Sequence, residues 1–151
     1  MRRQLTRSRQ RGVEAIEFAL ILPLLLVLTF ATTELGRALY EYAQVAKSVR
    51  QGARYLSLQD PNTHQTQAGN LIVYGCACTS PPSGARPLAR GLSSSNVVDP
   101  VWQTAGSSPT ISTVTVGVTG YQFQSIFTTA FGVSFGTITF SDITATMRSH
   151  S

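Results

Sequence analysis

The sequence is poor in the residue types that most chemistry needs. Among 151 residues there are two histidines, two cysteines and seven acidic residues. His64 and His150 stand far from each other and from the cysteines, and Cys76 and Cys78 form Cys-Ala-Cys with no second cysteine pair or histidine cluster at a zinc-binding spacing. A metal site is therefore not expected. Beyond residue 58 the carboxylates are Asp60, Asp99 and Asp142, too scattered to supply a paired acid and base. No Gly-x-Ser-x-Gly elbow and no glycine-rich phosphate loop occurs, so neither an esterase-type nucleophile nor a nucleotide site is expected. The expectation is a protein that is not an enzyme and needs no cofactor.

Charge is abundant at one end only. The formal charge of +5 would suggest an anionic partner, but Arg2, Arg3, Arg7, Arg9 and Arg11 all lie within the first 12 residues. The other seven basic residues equal the seven acidic ones, so the chain without this arm is neutral. A basic arm could bind nucleic acid; one that abuts an apolar run is more often a topology signal. Neither nucleic acid nor a small-molecule substrate is expected as a partner.

Such an apolar run follows directly. Residues 13–33, VEAIEFALILPLLLVLTFATT, number 21. As a helix they extend about 31 Å, enough for a hydrocarbon core of roughly 30 Å. The arginines before the run, with no comparable cluster after it, predict a protein of the bacterial cytoplasmic (inner) membrane with its N-terminus in the cytoplasm and its C-terminal domain outside the cytoplasm. Glu14, Glu17 and Pro23 are unusual in a plain anchor. Proline leaves the carbonyl of Ala19 without its helical donor, which predicts a kink or a helix packed against others. Glu14 reads as a carboxylate at the membrane edge.

From residue 34 to 58 the helical pattern continues. Leu35, Leu39, Tyr42, Ala46, Val49, Ala53 and Leu56 draw a narrow apolar seam, with Gly36 and Gly52 as places where the helix could break. Residues 59–111 are rich in Ser, Gly and Pro and read as loop, with one short candidate strand at Leu71–Tyr74. Residues 112–148 alternate apolar and polar side chains at 112–119, 121–124 and 137–147, which predicts two or three antiparallel strands. The fold class expected is α+β: a long N-terminal helix, its first half spanning the membrane, packed by its exported half on a small antiparallel sheet. In an exported domain Cys76 and Cys78 can form a local disulfide, bond to a partner or stay reduced, with a disulfide ranked first.

The informative constellation is Gly12 followed by Val-Glu-Ala-Ile-Glu-Phe, with basic residues before and an apolar helix after. Through the run GVEAIEFALILPLLLVLTFATTELGRALYEY and the later RQGARYLS, the sequence resembles the TadE-like family, minor pseudopilins of the tight-adherence (Flp) branch of type IV pilus systems. Gly12, Glu17 and Phe18 match that branch's processing signature. The likeness is strong over residues 11–58, faint over the strands apart from Ala145 to Arg148, and absent from 59–111. It implies a pilin-like fold, cleavage between Gly12 and Val13 by a prepilin peptidase, and assembly with other pilins or pseudopilins on an inner-membrane platform, with incorporation into a surface pilus as one outcome. Physical chemistry agrees with the residue types: glycine lets the backbone approach a protease, and cleavage would leave an amino group at Val13 one helical turn from Glu17. Two rivals remain. A permanently anchored periplasmic binding or adhesion module would keep its N-terminus, and an ordinary secretory signal would be cut near Ala31.

Overall fold

Helix α1, Arg7–Ser57, follows from a run rich in Leu, Ala, Glu and Arg, strong helix formers, whose only proline is Pro23. The computed structural model describes residues 7–126, 129–130, 133–134 and 136–150. Residues 1–6 of the expected basic leader lie outside them. The chain divides into two units, one of Met1–Gly36 with Ser125–Gly136 and the other of Arg37–Gln124 with Thr137–Ser151.

The second unit has the larger core. After α1 come helix α2, Gln65–Tyr74, and a single 3₁₀ turn at Ser94–Asn96. Strands β1, Val97–Ala105, and β2, Ile111–Val118, follow, then the short β3, Gln122–Phe123. The first unit contributes β4, Thr129–Ala130, and β5, Val133–Ser134. The second ends with β6, Ile138–Thr139, and β7, Ile143–Arg148. The principal sheet is antiparallel in the order β1-β2-β7.

Alternation decides which face of this sheet is covered. Val114, Val116 and Val118 on β2 are buried, and opposite them in register stand Met147, Ala145 and Ile143 on β7. On the other face Thr115 and Thr146 hydroxyls meet at 2.8 Å. The apolar face shares one core with Val45, Val49, Ala53 and Leu56 of α1 and Ala68, Ile72 and Val73 of α2. The expected α+β architecture, a long apolar N-terminal helix followed by a small antiparallel sheet, is what the structure shows.

Four details differ from the sequence reading. The buried face of α1 includes Ala38, Val45, Ser48 and Gly52, whereas Leu35 and Leu39 are more than half exposed. A seam drawn at a strict 3.5-residue period drifts around a straight helix of 3.6, and a helix contacted by both sheet and α2 buries a wider stripe than a seam. Leu71–Tyr74 is the last turn of α2 and not a strand. Its β-branched residues suggested a strand, but Ala68 and Ile72 are four apart on one buried face, and Gly75 at φ 77° ends the helix with its N–H on the Leu71 carbonyl.

Residues 59–111, expected to be loop, also contain β1, despite Asp99 and Pro100. Proline is tolerated because β1 is an edge strand with a register shift between Val98 and Val101. Last, the alternation at 137–147 is two strands: β6 pairs with β3, and β7 joins the principal sheet.

Gly52 does not break α1. A Cβ there would lie 2.7 Å from Cγ1 of the buried Ile72, so the absence of a side chain lets α2 sit against α1. Gly36 has open space and lies within the same helix.

Candidate functional site

The residues of the processing signature lie near the start of α1, in the first unit. Among the described residues, and apart from the helix's own neighbouring backbone, no atom lies within 4 Å of the position a Cβ on Gly12 would take. Val13 and Glu17 are four residues apart and so share one face of the helix, with Val13 66% and Phe18 63% exposed.

What surrounds these residues is an apolar cylinder. Ile16, Leu20, Leu24, Leu25 and Leu28 are all more than half exposed, and no charged side chain occurs from Phe18 to Thr33. Each such side chain forgoes roughly 1.5–3 kcal/mol by remaining in water, so a row of them requires lipid or other helices around it. Over Gly12–Ser57 the helix is long and apolar enough to cross a membrane.

The polar groups of this stretch suit such a setting. Thr29 and Thr33 hydroxyls donate to the carbonyls of Leu25 and Thr29 at 2.8 Å, and Thr32 reaches Thr29 at 2.9 Å. Each hydroxyl proton is thereby satisfied within the helix, as apolar surroundings require. Helix α1 continues through Pro23.

Cys76 and Cys78 belong to the second unit and are joined by a disulfide, their Cα atoms 5.3 Å apart. The Asn70 side-chain amide donates to the Cys78 carbonyl at 2.8 Å, which fixes this small loop to α2. Among the described residues, no three His, Cys, Asp or Glu side chains converge as metal ligands would.

One cluster was not foreseen from the sequence. The Tyr121 hydroxyl donates to Glu41 Oε2 at 2.9 Å, with the Arg90 carbonyl at 3.3 Å as a second acceptor. Arg37 donates to the other Glu41 oxygen at 3.2 Å and lies over the Phe123 ring, 5.1 Å from its centroid. The Tyr121 ring also stacks on Phe140. Burial pushes the Tyr121 phenol well above the usual tyrosine range; the hydrogen bond and charge of Glu41 add to this, while Arg37 opposes it. A phenol held protonated in this way is a structural clasp. No local pattern announces a pair 80 residues apart.

A long helix with an exposed apolar first half, followed by a small antiparallel sheet packed on its second half, defines the class: an α+β chain with a long apolar N-terminal helix. The family model described as TadE-like protein matches residues 12–54, a segment that begins at Gly12 and ends in the last turns of α1. The match covers less than half of the chain, and over that segment the chain is similar to that family. No curated protein and no solved structure matches the chain.

Proposed function

We propose that the protein is a minor pilin or pseudopilin of a Flp-type pilus, inserted with its N-terminus in the cytoplasm and trimmed after Gly12 by a prepilin peptidase. The observation that carries this reading is the junction itself: a glycine, a basic stretch before it, and after it an exposed apolar helix with Glu17 in its second turn. Cleavage there removes five arginines, leaves a neutral chain and creates an amino group at Val13.

An ionised Glu17 in lipid is costly unless paired. Where helices assemble in parallel with an axial stagger, the Glu17 carboxylate of one subunit meets the Val13 amino group of its neighbour, and each charge compensates the other. The exported sheet domain then supplies the surface of the assembly, and the inner-membrane platform and other pilins or pseudopilins are its partners.

The test is co-purification of the tagged protein with assembled pili or pilus subunits from its host, for wild type, Glu17→Gln and Glu17→Ala. Both variants are expected in the membrane at normal level and lost from the assembly. Unchanged incorporation of Glu17→Ala would refute the subunit contact.

A further inference from the structure

Strand β1 is an edge of the principal sheet, with β2 as its one ladder partner among the described residues. Every second residue of an edge strand turns its backbone N–H and C=O away from the sheet, where another chain can pair with them. Proteins blunt such edges with proline, bulges or charge. The first half of β1 has all three, in Pro100, the register shift between Val98 and Val101, and Asp99. The second half, residues 101–105, has none of them.

This half of the strand is accessible. Val101 is 48% exposed, and Gln103, Thr104 and Ala105 are exposed as well. A cleft of about 240 Å³ opens beside it, lined by Pro61, Trp102, Gln103, Thr104 and Ser112. The register with β2 sorts the side chains between the two faces. Trp102 stands opposite the buried Val114 and so shares the covered face with Thr104, whereas Val101, Gln103 and Ala105 share the face of Thr113 and Thr115.

We propose that residues 101–105 pair antiparallel with the same residues of a second copy of the chain, joining two principal sheets across a two-fold axis at Gln103. The occupant is a second copy because this strand is complementary to itself. No charged residue occurs between residues 100 and 141, so the strand meets its own copy with no like charges opposed. With Gln103 opposite Gln103 of the second copy, Trp102 meets Thr104 on the covered face and Val101 meets Ala105 on the other. Each of these pairs is made twice, as two-fold symmetry requires. An aromatic side chain against a β-branched one is a favourable cross-strand pair, and the threonine enters at the cleft beside Trp102. Pro100 stops the ladder on one side and the end of β1 at Ala105 stops it on the other, which fixes the register. A contact of this kind closes on itself, so it joins copies in pairs. It lies in the sheet domain and is independent of processing at Gly12 and of the Glu17 contact.

The test introduces cysteine into the full chain in detergent micelles, Cys76 and Cys78 of the parent being joined to each other. Directly opposed residues of an antiparallel pair have Cα atoms about 4.5–5.5 Å apart, a separation that a disulfide spans. Under mild oxidation Gln103→Cys is expected to form a disulfide-linked dimer about tenfold faster than Ala105→Cys, whose two copies would stand about 14 Å apart along the paired strands. Val101→Cys and Ala105→Cys together in one chain should restore fast dimer formation, because those positions face each other. Equal rates for Gln103→Cys and Ala105→Cys, or no dimer from Gln103→Cys, would overturn the pairing. Slow cross-linking of the double variant would overturn it as well.

Discussion

The Tyr121 hydroxyl lies 2.9 Å from Glu41 Oε2, fastening the end of the central sheet region to the middle of α1 across 80 residues of sequence. Arg37 holds the other carboxylate oxygen at 3.2 Å, so the carboxylate is shared by two donors. Removing the phenol leaves Glu41 its arginine. Tyr121→Phe is expected to destabilise the domain by about 1–2 kcal/mol, the order of a hydrogen bond to a charged acceptor. Urea unfolding of the full chain in detergent, followed by circular dichroism, measures this; no change would mean that the clasp contributes nothing.

Alkaline pH tests the same bond by another route. The folded chain binds the Tyr121 proton more tightly than the unfolded chain, whose phenol titrates near the usual value of about 10. The resulting stability is complete below that pH and is lost as pH rises toward the higher folded value. Wild type is expected to lose its advantage over Tyr121→Phe progressively above about pH 10. A constant difference between them up to strongly alkaline pH would contradict the assigned environment.

The two glycines of α1 beyond its apolar run should respond in opposite directions. At Gly36 a methyl group meets open space, so Gly36→Ala is expected to stabilise by up to about 1 kcal/mol through helix propensity. At Gly52 the same methyl would stand 2.7 Å from Cγ1 and 2.8 Å from Cδ1 of Ile72. Overpacking of about 1–3 kcal/mol then exceeds the propensity gain, and Gly52→Ala is expected to destabilise. Adding Ile72→Val, which removes the Cδ1 methyl, should recover part of the loss. Additive effects in that double mutant would deny the contact.

What could be read from the sequence was what is encoded locally. Strands β2 and β7 show their period directly, because one face of each is buried and the other is not, while α1 is announced by the length of its apolar run and its helix-forming composition. The Gly12–Phe18 signature is contiguous and depends on no tertiary neighbour. Helix α2 was hidden because Ile72 and Val73 favour strands and are held helical by burial against α1 and by the stop at Gly75. Strand β1 was hidden because Asp99 and Pro100 interrupt its alternation, an interruption that an edge strand with a bulge absorbs. The Tyr121–Glu41 clasp could not be read at all, since its partners meet only after sheet and helix have packed.

Processing after Gly12 is tested most directly by the mature N-terminal residue, determined by intact and peptide mass spectrometry of the protein from its own host, alongside Gly12→Ala. A chain beginning at Val13 is expected for wild type, with the full-length chain retained in the variant. A wild-type chain that keeps Arg11 and Gly12, or one that begins beyond Ala31, would contradict it.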